Sequence, residues 1–186
     1  MTIPMKIIES KLPGVVEIVF NKLNDNRGSF TKTYHQEIFR SLGIDFEMKE
    51  EYFTASTKGV FRGLHFQNPP MELHKLVYCV SGRVNDYIVD LRVGSPTYGH
   101  YVMFELDGEK PSAVFAPIGM AHGFYVKSEH AVMQYKVSQV YDAASDAGVL
   151  YTSFEFANDI VNPIISNRDL NFSSLADFKS AFSYIK

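Results

Sequence analysis

Turn-forming residues recur through the middle of the chain at the spacing of short strands. Gly82, Gly94-Ser95-Pro96, Asp107-Gly108, Pro117-Ile118-Gly119 and Lys127-Ser128-Glu129 separate runs rich in Val, Ile, Tyr and Phe. Such spacing points to an antiparallel sandwich or barrel. Strands are expected near Val15–Asn21, Phe53–Ser56, Gly59–Phe66, His74–Ser81, Arg83–Arg92, Gly99–Glu105, Ala113–Ala116, His122–Val126 and Ala131–Val137. Helical patterns occur at two places. One is His35–Leu42, closed by Gly43. The other is Ser174–Tyr184, with Ser173 or Ser174 as N-cap and Leu175, Phe178, Ala181, Phe182 and Ile185 on one side. With no repeat or linker, residues 1–186 read as one mainly β domain with short flanking helices.

Composition narrows the function classes. Charged residues are 21% and hydrophobic residues 46%, the mix of an ordinary globular protein. The net charge of −3 gives no global field for nucleic acid or an anionic membrane, so an anionic small ligand must be held by a few local cations. Cys79 is the only cysteine, which excludes an intrachain disulfide and a thiolate zinc site. The N-terminal residues lack the pattern of a signal peptide, and no apolar run has the length of a membrane span. A soluble, cytoplasmic protein is the expectation.

The stretch FRGLHFQNPPMELHKLVYCVSG, Phe61 to Gly82, sets polar groups inside apolar β-structure. Alternation puts His65 and Gln67 on one face of the first strand, and Lys75, Val77 and Cys79 on one face of the second. An antiparallel return after Pro69-Pro70 then brings His65 and Lys75 together in one apolar cavity. Arg62 has the wrong parity unless Gly63 marks a bulge. A lone strand histidine is more often structural than catalytic. A lysine in an apolar run is harder to dismiss, because burying an unpaired ammonium costs several kcal/mol.

Three further segments fit the same theme. APIGMAHGFYV places His122 after a turn and before a strand, VMQYKVSQVY puts Tyr135 and Tyr141 on a common parity, and SNRDLNF offers Arg168-Asp169 in what otherwise reads as a surface turn. His, Asp, Tyr and Lys, without a reactive thiol or a phosphate-binding glycine loop, suit proton abstraction next to a carbonyl. A carboxylate-backed histidine takes the proton. A cation stabilises the resulting enolate. A tyrosine on the opposite face returns a proton and inverts the carbon.

FRGLHFQNPP, KLVYCVSGRVNDYIVDLRVGSPTYG and PIGMAHGF, with NDNRGSF and SNRD near the ends, resemble the dTDP-4-dehydrorhamnose 3,5-epimerases over roughly residues 15–170. The resemblance implies a cupin-type antiparallel jelly roll, a homodimer, and cofactor-free inversion of carbon 3, carbon 5 or both in a nucleotide-linked 4-keto-6-deoxy sugar. It makes His65 the base, Asp169 its carboxylate partner and Tyr135 the acid. Lys75 helps stabilise the enolate, and His122 fills the remaining catalytic position. Arg27, Phe30, Arg62, Gln67, Tyr141 and Arg168 fall where the family lines the substrate or holds its phosphates.

The chain departs from the family pattern at several points. Glu50, Glu51 and Tyr52 stand where the family usually reads Gln-Asp-Asn, so Glu50 and Tyr52 are candidate substrate contacts with altered chemistry. Lys32 replaces a usual Glu, and LYTSFEF lacks a common Trp-Asn-Asp. A single-centre 3- or 5-epimerase on a CDP-linked or other nucleotide sugar is therefore an alternative. Two others remain: a metal-dependent cupin with His65, His74 and His122 as an irregular ligand set, and a non-catalytic sugar-binding cupin. The histidine pattern of metal cupins is broken here, since Phe66 and Gln67 follow His65.

Overall fold

The anticipated runs form strands, and the computed structural model, which describes residues 5–185, arranges them in two facing antiparallel sheets. In chain order, β1 is Lys6–Glu9, β2 is Val16–Val19, β3 is Lys22–Asp25 and β4 is Gly28–Thr31. Helix α1 follows at Gln36–Ser41, then β5 at Glu50–Thr57, β6 at Phe61–Gln67 and β7 at Lys75–Ser81. The series continues with β8 (Arg83–Asp90), β9 (Tyr101–Asp107), β10 (Ser112–Ala116), β11 (Met120–Val126), β12 (His130–Val137) and β13 (Asp146–Gly148). A four-residue helix, α2, spans Asn167–Leu170.

One sheet has six strands in the order β1-β2-β10-β7-β12-β5, and the other has five in the order β13-β6-β11-β8-β9. Strands β3 and β4 form a separate hairpin. The layout is a jelly roll, as expected. Inward side chains of both sheets, among them Val77, Ile88, Leu106, Val114, Phe124 and Met133, make the central core. The outer faces are covered as well. Phe39 of α1, Ile44 and Phe46 lie on Leu76, Tyr78 and Phe115, while Tyr151, Phe154, Phe156 and Phe182 cover Phe61, Tyr87 and Val89. Burial on both faces explains why β7 reads as a nearly continuous apolar run. Among the described residues no helix is long and apolar enough to cross a membrane.

Two expectations are corrected. The helix expected over Ser174–Tyr184 is one turn, in which Asp177 and Phe178 N–H donate to the Ser174 carbonyl. Beyond it the chain extends, and Val93 N–H donates to the Phe182 carbonyl while Tyr184 N–H donates to the Val93 carbonyl. Phe178 and Phe182 pack edge-on against Phe66, so the apolar spacing that reads as a helix face serves an extended strap. The second correction concerns β6 and β7, which are not a paired hairpin. They belong to different sheets, because the Pro69-Pro70 corner lacks backbone donors and carries the chain across the sandwich. His65 and Lys75 meet from opposite sides of the interior rather than as strand neighbours.

Candidate active site

Between the sheets lies a cavity of about 350 Å³. Strand β6 enters it with a register shift: His122 of β11 opposes His65, but Phe124 opposes Arg62, leaving one extra residue in β6. The bulge falls at Gly63, with φ +135, where a Cβ would stand 2.5 Å from the Gly123 Cα. This is the irregularity that Arg62 required, and it turns Arg62 and His65 into the same cavity.

His65 Nε2 is 2.8 Å from Asp169 Oδ1. The other carboxylate oxygen of Asp169 accepts from Gly63 N–H at 3.0 Å, and its backbone N–H donates to Ser166 Oγ at 3.1 Å. Ser166 thus caps α2 and fixes the carboxylate, in what the sequence presents as a surface turn. Burial works to raise the Asp169 pKa, but hydrogen bonds from His65, Gly63 and Ser166, with the His65 charge, hold it below the usual range. Burial depresses the His65 pKa, with Asp169 opposing, so the imidazole is neutral near pH 7. With Nε2–H donating to Asp169, Nδ1 keeps a free lone pair.

The other expected groups sit around this pair. Lys75 Nζ donates to the His65 carbonyl at 3.0 Å, and burial pushes its pKa down to about 8. His122 Nε2 lies 2.6 Å from Asp86 Oδ2, with both side chains buried. Tyr135 lines the cavity from β12; its ring meets His122 edge-on at 5.8 Å and stacks on Tyr52 at 4.7 Å. Burial drives the Tyr135 hydroxyl pKa up, and that of Tyr52 up to about 12.

The mouth is polar. Glu50 Oε2 accepts from Tyr141 N–H at 2.8 Å. The Tyr141 hydroxyl donates to Asp146 Oδ2 at 3.3 Å, and Arg168 pairs with the same oxygen at 2.7 Å. Gln67 directs its amide at the chain, donating to Met71 and Val140 carbonyls and accepting from Asp142 N–H. Arg62 donates through Nε to Ser56 Oγ and makes no ion pair among the described residues.

Two expected residues lie elsewhere. Arg27 and Phe30 sit on the exposed β3–β4 hairpin, where Arg27 pairs with Asp25, and they line a separate depression. The irregular histidine set does not assemble either. His74 stacks on Phe115 at 5.6 Å, with Nδ1 3.3 Å from Ser138 Oγ. No three His, Cys, Asp or Glu side chains among the described residues are grouped to hold a metal ion. Two carboxylates at the site are not singled out by the sequence motifs. Asp86 alternates with Val84 and Ile88 on the inward face of β8, a charge in an apolar series of the same kind as Lys75. Asp146 lies in β13, too short to read as a strand.

This geometry has close relatives. A family model described as dTDP-4-dehydrorhamnose 3,5-epimerase matches residues 9–177. The chain belongs to this family. It is 35% identical to the dTDP-4-dehydrorhamnose 3,5-epimerase of Shigella flexneri, over 93% of this chain and 97% of that one. It is 37% identical to a dTDP-4-dehydrorhamnose 3-epimerase of Streptomyces niveus, over 95% and 87%. Among solved structures, dTDP-6-deoxy-D-glucose-3,5-epimerase of Legionella pneumophila Philadelphia 1, in complex with dTDP-4-keto-L-rhamnose, superposes with a TM-score of 0.89. That match has 30% identity and covers 98% of this chain and all of that one. The jelly roll is thus of the cupin type found in the epimerase family.

Proposed function

We propose that this chain is an isomerase that inverts carbon 3, carbon 5 or both in a dTDP-linked 4-keto-6-deoxy sugar, within deoxysugar biosynthesis. One observation carries the reading: a carboxylate-backed neutral imidazole on one sheet and a buried phenol on the other line a single cavity. Both carbons flank the ketone, so each is acidified by it. His65, oriented by Asp169, removes the proton. The Lys75 ammonium and the His122–Asp86 pair stabilise the oxygen of the enolate. Tyr135 delivers a proton from the opposite face, which inverts the centre, and the two side chains are then reset by solvent.

Arg62 and Arg168 are the cations placed to hold a diphosphate, and Tyr141 and Gln67 shape the mouth that takes the nucleotide. Arg27 and Phe30 are remote from the cavity of their own chain, so their substrate role rests on a homodimer that carries the hairpin to a partner's mouth. Cytoplasmic location fits a soluble nucleotide-sugar substrate. Inversion of both centres and inversion of one are two readings of this activity, the second favoured by the Streptomyces niveus 3-epimerase at 37% identity. The test is incubation with dTDP-4-keto-6-deoxyglucose in deuterated water, with NMR locating deuterium. Incorporation at carbon 3, carbon 5 or both is expected, and the pattern separates the two readings. Absence of incorporation at either carbon overturns both.

A further inference from the structure

We propose that Tyr52 is a positioning residue: its ring, stacked on Tyr135, fixes the angle at which the phenol returns its proton and so sets how the enolate divides between inversion and return to the starting face. The inference rests on the epimerase reading above.

The placement follows from strand register. Tyr52 and Tyr135 are direct partners on β5 and β12, and both point into the cavity. Their rings are 4.7 Å apart and 13° from parallel. The Tyr135 ring also meets the edge of the His122 ring, at 5.8 Å and 76°. His122 is itself immobilised by buried Asp86. Tyr135 is therefore held by two neighbouring rings. Thr54, on the same inward face of β5, is the hydrogen-bonding side chain beside the Tyr135 hydroxyl. The plane of the Tyr135 ring is set by its packing between Tyr52 and His122. Strand β5 lies at the edge of its sheet, so Tyr52 is the last inward ring on that side.

A returning proton must approach the enolate carbon along the axis of its π system. A loosened phenol spends less time aligned, while His65 still holds the abstracted proton on the other face. His65 then returns a solvent-exchanged proton more often, and the sugar is released labelled but not inverted. Stacking of this kind shifts an equilibrium by roughly 2- to 10-fold.

The experiment measures two initial rates in deuterated water with dTDP-4-keto-6-deoxyglucose: deuterium entering recovered substrate, and formation of inverted product. Tyr52→Leu removes the flat ring and is expected to raise the ratio of exchange to inversion roughly 2- to 10-fold. Tyr52→Phe keeps the ring and is expected to restore the ratio of the unmodified protein. Tyr52→Val, a good strand former, replaces the Leu variant if that variant does not fold. A general loss of stability lowers both rates together and leaves their ratio alone. The inference is overturned if the ring-free variant keeps the original ratio, or if Tyr52→Phe shows the same raised ratio as the ring-free variant, which assigns the effect to the hydroxyl. An unmodified protein that neither exchanges nor inverts marks the failure of the epimerase reading instead.

Discussion

Lys75 Nζ donates to the main-chain carbonyl of His65 at 3.0 Å across the gap between the two sheets. The bond ties the cation to the strand that carries the base, so the position of one fixes that of the other. Burial lowers the Lys75 pKa to about 8, with Asp146 and Asp86 resisting. The free protein therefore loses this ammonium as pH rises through about 8. On the proposed mechanism, kcat/KM falls on the alkaline side with an apparent pKa near 8, because kcat/KM reports the free enzyme. Lys75→Arg keeps its charge throughout and is expected to abolish that limb, whatever its absolute rate. The unfolded chain holds the proton up to the ordinary value of 10.5, so between about 8 and 10.5 this group makes the fold more stable as pH rises. An alkaline limb that persists in Lys75→Arg assigns the titration to another group.

The acid limb belongs to His65. Its folded-state pKa is depressed, first by burial, so activity persists below the ordinary imidazole range before protonation removes the base. Asp169 opposes that depression through its hydrogen bond and its charge. Asp169→Asn removes the charge, and the limb is expected to move further toward acid. The maximal rate is expected to fall by roughly 10²–10⁴-fold, since an amide no longer enforces the Nε2–H tautomer. A pH–rate profile of deuterium exchange checks both effects. A limb that stays in place removes Asp169 from the role of partner.

Tyr135→Phe deletes the phenol while keeping the ring between Tyr52 and His122. Binding of dTDP is expected to be unchanged within about 2-fold, and inversion to fall by roughly 10²–10⁴-fold. Deuterium should still enter recovered substrate, because His65 takes the proton and can give back a solvent one. Calorimetry and NMR read the two halves separately. Undiminished inversion removes Tyr135 from the chemistry.

Much of this site was legible because strands alternate. His65, Lys75, Tyr135 and His122 stand out as polar groups interrupting apolar parity, and all four line one cavity. The same rule, applied to Val84, Asp86 and Ile88, identifies Asp86. What parity does not carry is which sheet a strand joins. The Pro69-Pro70 corner reads equally as a hairpin turn or as a crossing between layers, and only packing chooses the crossing. Periodicity misled at the C-terminus for a related reason. Leu175, Phe178 and Phe182 recur at helical spacing, yet Phe178 and Phe182 dock on Phe66, and the Ser180 hydroxyl donates to the Leu91 carbonyl. Tertiary contacts there outweigh local preference.

Gly63 is the backbone hinge of the site. A Cβ at this position meets the Gly123 Cα at 2.5 Å and the His122 carbonyl at 3.0 Å, both main-chain atoms that cannot swing aside. Its φ of +135 also lies outside the region side chains favour. Gly63→Ala is expected to cost about 3 kcal/mol and lower Tm by roughly 6–12 °C. Because Gly63 N–H also holds Asp169, exchange activity should fall even well below the new Tm. Thermal unfolding followed by circular dichroism, with a parallel exchange assay, tests the pair of effects. A variant with unchanged Tm shows that the two strands can separate without loss.

Arg168 reaches the mouth with its charge already engaged by Asp146 at 2.7 Å. A diphosphate must compete for that guanidinium, and the Asp146 carboxylate repels it as well. Both side chains are partly open to solvent, so the pair is weak and screened by salt. Asp146→Asn keeps a hydrogen-bond acceptor for Arg168 and the Tyr141 hydroxyl while deleting the charge. The affinity for dTDP, measured by calorimetry, is expected to rise roughly 2- to 5-fold at low ionic strength, with the gain shrinking as salt is added. Arg168→Ala should move affinity the other way. If Asp146→Asn binds more weakly, the carboxylate orients Arg168 toward the phosphates, and its repulsion is the smaller of its two effects.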